Sequence, residues 1–115
     1  MPIAFFCCMF VVSCKHHGIS LTYSESRSYY SMEAWFNENR TRALEEYMDD
    51  QIGKRNHISF VNSGIDGKIG LDDHTTFFIK KFPGHLKIEL NKHENSVDSY
   101  MEIKNLCEGI KEVIK

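Results

Sequence analysis

Apolar and polar residues change period several times along this chain, and each change marks an expected element. Residues 3–12 form an unbroken apolar run, Ile-Ala-Phe-Phe-Cys-Cys-Met-Phe-Val-Val. Ile19-Ser20-Leu21-Thr22-Tyr23 then alternates apolar and polar residues, which predicts a strand. Residues 24–28 are polar and read as a loop. From Met32 the spacing becomes helical: Met32, Trp35, Phe36, Ala43, Leu44, Tyr47 and Met48 fall on one face. With Ser31 as N-cap, Glu33 in the first turn and Gly53 as the residue past the end, this predicts a long helix from Met32 to about Ile52. Asn39 and Arg40 interrupt its stripe. Arg40 lies four residues from both Phe36 and Leu44, so it reads as a stem running along the apolar face with its guanidinium in water, or as a carboxylate or anion contact.

The middle of the chain predicts strands. Ile58-Ser59-Phe60-Val61 is one. Ile65-Asp66-Gly67-Lys68-Ile69 carries the Asp-Gly pair of a two-residue hairpin turn, which needs positive φ at both central positions. Thr75 to Phe82 is rich in β-branched and aromatic residues, Pro83-Gly84 suits a tight turn, and His85 to Asn91 returns with Leu86, Ile88 and Leu90 on one face. Phe77 and Ile79 share that core face. Phe78 and Phe82 then point the other way, toward a second buried face or a binding surface. A last helix from about Ser96 to Ile114 carries Ile103, Leu106, Cys107 and Ile110 on its apolar face, with Gly109 as a weak interior position.

The expected fold is α+β: an antiparallel β-meander with a long N-terminal helix and a C-terminal helix packed on one face, in the approximate order β-α-β-β-β-β-α. The strand, long helix and meander order is similar to the cystatin-like arrangement, a likeness of fold without a function. Residues 19–115 read as one domain, preceded by a short segment at 14–18.

The opening run changes the picture of where the protein resides. No charged residue precedes Lys15, and the apolar core of about ten residues is too short for a membrane-spanning helix. Val11-Val12-Ser13-Cys14 resembles the lipobox of bacterial lipoproteins at all four positions. The resemblance implies that residues 1–13 are a signal peptide, that cleavage precedes Cys14, and that Cys14 carries lipid and anchors the domain in the cell envelope. Lys15 after that cysteine implies the outer membrane or the periplasmic face. The alternative is a cytoplasmic protein in which residues 1–13 are not a signal. Two or three acyl chains would make the anchor stable, since one alone binds only marginally.

Charge and candidate chemistry narrow the function. The net charge of −2, with both signs interspersed, argues against a nucleic-acid partner. Of four cysteines only Cys107 lies beyond Cys14, so the domain is expected to hold together without an internal disulfide, with Cys107 buried. Asn62 to Asp73 matches a calcium loop at Asp66, Gly67 and Asp73, but Gly64 stands where a ligand is needed. None of the six histidines forms a helical zinc signature, and no nucleophile elbow or phosphate loop occurs. The expectation is therefore no cofactor, no metal and no enzyme.

What remains is binding. The reading is a lipid-anchored envelope protein that binds and occludes a protein partner; an immunity or inhibitor protein against a toxin or cell-wall-degrading enzyme is its concrete version. Tyr29 and Tyr30 are candidate contacts because tyrosine is favoured at binding hot spots. Arg40 and the acidic pairs Asp49-Asp50 and Asp72-Asp73 are candidates for engaging a charged or basic cleft. The alternatives are a structural or accessory lipoprotein of an envelope complex, and a ligand-binding or hydrolytic domain built around His57, His74 or His85.

Overall fold

A computed structural model describes the backbone of residues 10–16 and residues 18–115 with their side chains. Among the described residues six antiparallel strands form one sheet: β1 (Phe10–His16), β2 (Ile19–Glu25), β3 (Tyr29–Trp35), β4 (Ile65–Gly70), β5 (Thr76–Phe82) and β6 (His85–Asn91). Their order across the sheet is β1-β2-β3-β6-β5-β4. Helix α1 (Thr41–Met48) lies in the connection from β3 to β4, and α2 (Val97–Ile114) closes the chain.

Alternation sorts the sheet into two faces. Leu21, Met32, Ala34, Leu86, Ile88, Leu90, Phe77 and Ile79 point to one side and join Leu44, Met48, Ile103, Leu106, Cys107 and Ile110 of the helices in a single core. Both helices therefore cover the same face, as expected for the α+β class. Strands β2, β5 and β6, the Pro83-Gly84 turn (Gly84 φ +82°) and the C-terminal helix fall where the pattern placed them. Ser96 caps α2 by accepting the Ser99 N–H at 3.0 Å. Cys107 is a buried, unpaired thiol, and burial pushes its pKa up, away from thiolate chemistry.

The long N-terminal helix is not seen. Tyr29–Trp35 is a strand paired on both sides, to β2 and to β6. Met32 and Trp35 satisfy a helical period, but Tyr30, Met32 and Ala34 against Ser31, Glu33 and Trp35 satisfy period two equally well. Two flanking strands decide for the strand. The helical stretch begins only at Glu38, where Asn37 accepts the Asn39 N–H at 3.0 Å, so the polar break in the stripe is the true entry. After Met48 the helix widens into a π turn (Asp49–Gly53), tightens (Lys54–Asn56) and ends at His57 with φ +60°. Gly53 has ordinary helical φ; it is needed because an added Cβ would sit 2.7 Å from the Ile58 carbonyl oxygen. With three strands before the helix, the cystatin-like order does not hold.

Two further expectations change. Residues 58–61 are not a strand; Asp49 holds this segment by accepting from the Phe60 N–H at 2.6 Å and the Ser59 hydroxyl at 3.0 Å. Asp66-Gly67 is not a hairpin turn. Neither residue has positive φ, and both continue β4 opposite Lys80 and Ile79. At the start of the chain, residues 1–9 of the expected signal peptide lie outside the described residues. The backbone of residues 10–16, including Cys14, pairs with β2, and Gly18 (φ +82°) turns between them.

Candidate binding face

The helices leave the other face of the sheet open, and aromatic residues gather there. Register places Ser20, Trp35, His85 and Phe82 in one row across four strands. Trp35 is 48% and Phe82 38% exposed, and their rings meet edge to face at 5.9 Å. Between them His85 is buried, its imidazole 4.0 Å from the Trp35 ring and stacked 4.6 Å from Phe82. Glu33 from the next row takes the His85 Nε2 at 2.8 Å. His85 Nδ1 is buried with no hydrogen-bond partner among the described residues. This arrangement fixes the imidazole under two exposed rings, so the rings form a preordered apolar platform with a carboxylate beside it.

Around the platform the face is charged in both signs. The second row runs Thr22, Glu33, Lys87, Lys80 and Asp66; the third runs Ser24, Ser31, Glu89, Phe78 and Lys68. At the far end Tyr29 is 48% exposed over a shallow depression of about 200 Å³ bordered by Phe78, Glu89 and Asn91. An apolar centre with a polar rim is the usual anatomy of a protein-binding patch.

The other expected site residues scatter. Tyr30 lies in the core with its hydroxyl buried, so of the two tyrosines Tyr29 faces solvent. Arg40 neither snorkels into water nor meets a carboxylate: its Nε and Nη2 donate to the Val113 carbonyl at 3.2 and 2.7 Å, near the C-terminal end of α2, where the helix dipole favours a cation. Asp49 caps the 58–61 segment, and Asp50 pairs with Lys54 on the surface at 2.7 Å. The side chain of Cys14 lies outside the described residues.

Asp72 and Asp73 border a groove of about 730 Å³ between the end of the first helical stretch and α2. There Asp73 accepts the Thr75 N–H at 3.1 Å and lies against Glu102, which also pairs with Arg55. The Thr75 hydroxyl meets Ser99 at 2.6 Å, closing the network underneath. Hydrogen bonding from Thr75, and then the Glu102 carboxyl, hold Asp73 below its ordinary 3.8; burial, and then Asp73, raise Glu102 above 4.5. The two shifts have opposite consequences. The Asp73 contribution to stability is present above 3.8 and is lost as pH falls through its lowered value. That of Glu102 is present below 4.5 and is lost as pH rises through its raised value. Asp73 is exposed, so Asp73→Asn is expected to cost no more than about 1 kcal/mol at about pH 7. The deficit should shrink toward zero in acid, as measured by urea unfolding across pH; a deficit that grows in acid would contradict this assignment.

The sequence pattern marks Phe82 as outward-facing and His85 only as a candidate for a ligand-binding or hydrolytic site, and it places Trp35 and Glu33 on a helix. Period two over residues 29–35, set against 76–82 and 85–91, is the signal that carries all four. Compared with protein-family models, curated proteins and solved structures, the chain matches none.

Proposed function

We propose that this protein is a lipid-anchored binding module of the cell envelope that docks a protein partner on the open face of its sheet, with occlusion of a toxin or cell-wall-degrading enzyme as the concrete case. The carrying observation is the exposed Trp35–Phe82 pair, seated on a buried His85 on the sheet face opposite α1 and α2. The lipobox-like Val11-Val12-Ser13-Cys14 supports the envelope location. Cleavage before Cys14 would remove Phe10–Ser13 from β1 and leave Cys14–His16 paired with Ile19–Leu21, so the anchor would lie at the β2 side of the sheet.

Two measurements test the reading. The intact mass of the protein from its native membrane, beside Cys14→Ser, should show loss of thirteen residues and gain of acyl mass only in the wild type. For the binding face, the candidate partner is a toxin or wall hydrolase encoded beside this gene. Trp35→Ala and Phe82→Ala are each expected to weaken its binding at least about tenfold. Asp50→Ala, on the helix side, should leave it unchanged. Equal binding by all three variants, at matched thermal stability, would remove the open face from the function.

A further inference from the structure

Strand β4 closes one edge of the sheet, and the segment 64–70 that contains it is symmetric about Gly67. It pairs with β5 on one side, and among the described residues no strand pairs with the other. Residues 64–70 read Gly-Ile-Asp-Gly-Lys-Ile-Gly. About Gly67 the order is glycine, isoleucine, acid, glycine, base, isoleucine, glycine. An antiparallel strand pair related by a two-fold axis through Gly67 sets residue i opposite residue 134 − i of the second copy. That register places Gly64 against Gly70, Ile65 against Ile69 and Asp66 against Lys68, twice each, with Gly67 against itself.

We infer that two copies of this chain join along β4 in this register, making one continuous sheet through the pair. An unpaired edge is a template for another strand, and backbone bonding supplies the affinity. Side chains choose the partner, and here they choose a second copy. Asp66 and Lys68 both stand on the open face, so the two-fold makes two cross-strand ion pairs. Among the described residues Asp66 has no ion-pair partner within its own copy, and Lys68 reaches only the exposed Glu94 at 2.8 Å. Ile65 and Ile69 are half-buried, and their opposition adds apolar contact on the helix side.

The glycines carry the second argument. None of Gly64, Gly67 and Gly70 has positive φ. A Cβ at Gly67 would meet nothing within 4 Å, and at Gly64 and Gly70 only ordinary contacts at 3.9 Å. The single copy therefore gives no steric reason for glycine at these positions, where glycine weakens a strand. Glycine within a strand also marks the close approach of another backbone. Such pairing keeps both aromatic platforms on the same side, so the dimer would present two binding faces in one direction.

The test is sedimentation equilibrium of the full chain in density-matched detergent. The wild type is expected to be a dimer. Lys68→Asp sets like charges opposite each other at both symmetric positions, as does Asp66→Lys, and each should weaken the dimer at least about tenfold. Combining the two should restore it to within about threefold of the wild type. Glu94→Gln, which removes only the partner of Lys68 within one copy, should leave the dimer intact, and Asp66→Asn gives a milder loss without placing a lysine opposite Lys80. Thermal melting checks that each variant is folded. A monomeric wild type, association indifferent to the single reversals, or a double variant that fails to recover would each overturn the proposal. None of these outcomes bears on Trp35 or Phe82.

Discussion

Glu45→Ala is expected to destabilise the protein by about 3–5 kcal/mol, the usual cost of leaving one member of a buried ion pair without its partner. Lys81 points into the core side of the sheet from β5, where its side chain is 2% exposed. Its Nζ donates to Glu45 Oε2 at 2.6 Å and to the Ser63 carbonyl. Glu45, 6% exposed, also accepts the Asn62 N–H at 3.2 Å. The pair thus fastens α1, β5 and the 62–63 segment together at one end of the core. Alanine at 45 strands an ammonium with a single carbonyl partner. Lys81→Met strands the carboxylate and should cost a similar amount. Replacing both, as Glu45→Leu with Lys81→Met, removes both desolvation penalties and should recover more than half of either loss, though the Asn62 N–H and Ser63 carbonyl lose partners. Urea unfolding of the two singles and the double measures the coupling. A loss below about 1 kcal/mol for Glu45→Ala would mean that water reaches the pair.

Gly109→Ala is expected to destabilise by about 2–3 kcal/mol, where helix propensity alone would favour it by about 1 kcal/mol. The reason is Tyr47. Its ring lies across α2 at Gly109, and its hydroxyl donates to the Leu106 carbonyl at 2.9 Å. A Cβ at 109 would stand 2.1 Å from that hydroxyl oxygen and 3.0 Å from Cζ. The methyl group must expel Tyr47, breaking the hydrogen bond and the α1–α2 packing together. Burial already pushes the Tyr47 hydroxyl pKa up, so it stays a neutral donor at working pH. The sign of the effect is the test. In a Tyr47→Leu background Gly109→Ala should become neutral or stabilising in thermal melts, because only propensity remains. Stabilisation in the wild-type background would place Tyr47 elsewhere.

Both sites show how far local pattern reaches. Lys81 has the same parity as Phe77 and Ile79, so alternation along β5 already marks it as an inward-pointing charge. It does not say that Glu45, 36 residues earlier, meets it. Gly109 reads as a helix defect, because the ring that needs the space belongs to another element. The aromatic platform divides in the same way. Phe82 is legible as outward-facing from its own strand. Trp35 is not, because Met32, Trp35 and Phe36 fit a helix as well as a strand. The edge symmetry of β4 is written wholly in residues 64–70, yet it has meaning only once β4 is known to be unpaired on one side.

Local pattern is enough for the α+β class, strands β2, β5 and β6, the Pro83-Gly84 turn, the capped C-terminal helix and the buried Cys107. In these segments one face is apolar and the other polar, so a single period and its punctuation carry the information. The fate of residues 29–36, the strand order β1-β2-β3-β6-β5-β4 and the choice of open face depend on long-range pairing and packing. A central strand is stabilised by hydrogen bonds to partners far along the chain, and here β3 lies between β2 and β6, whose paired residues are fifty or more positions away. Period two and period 3.6 compete on nearly equal terms over eight residues, and pairing on both edges settles the contest.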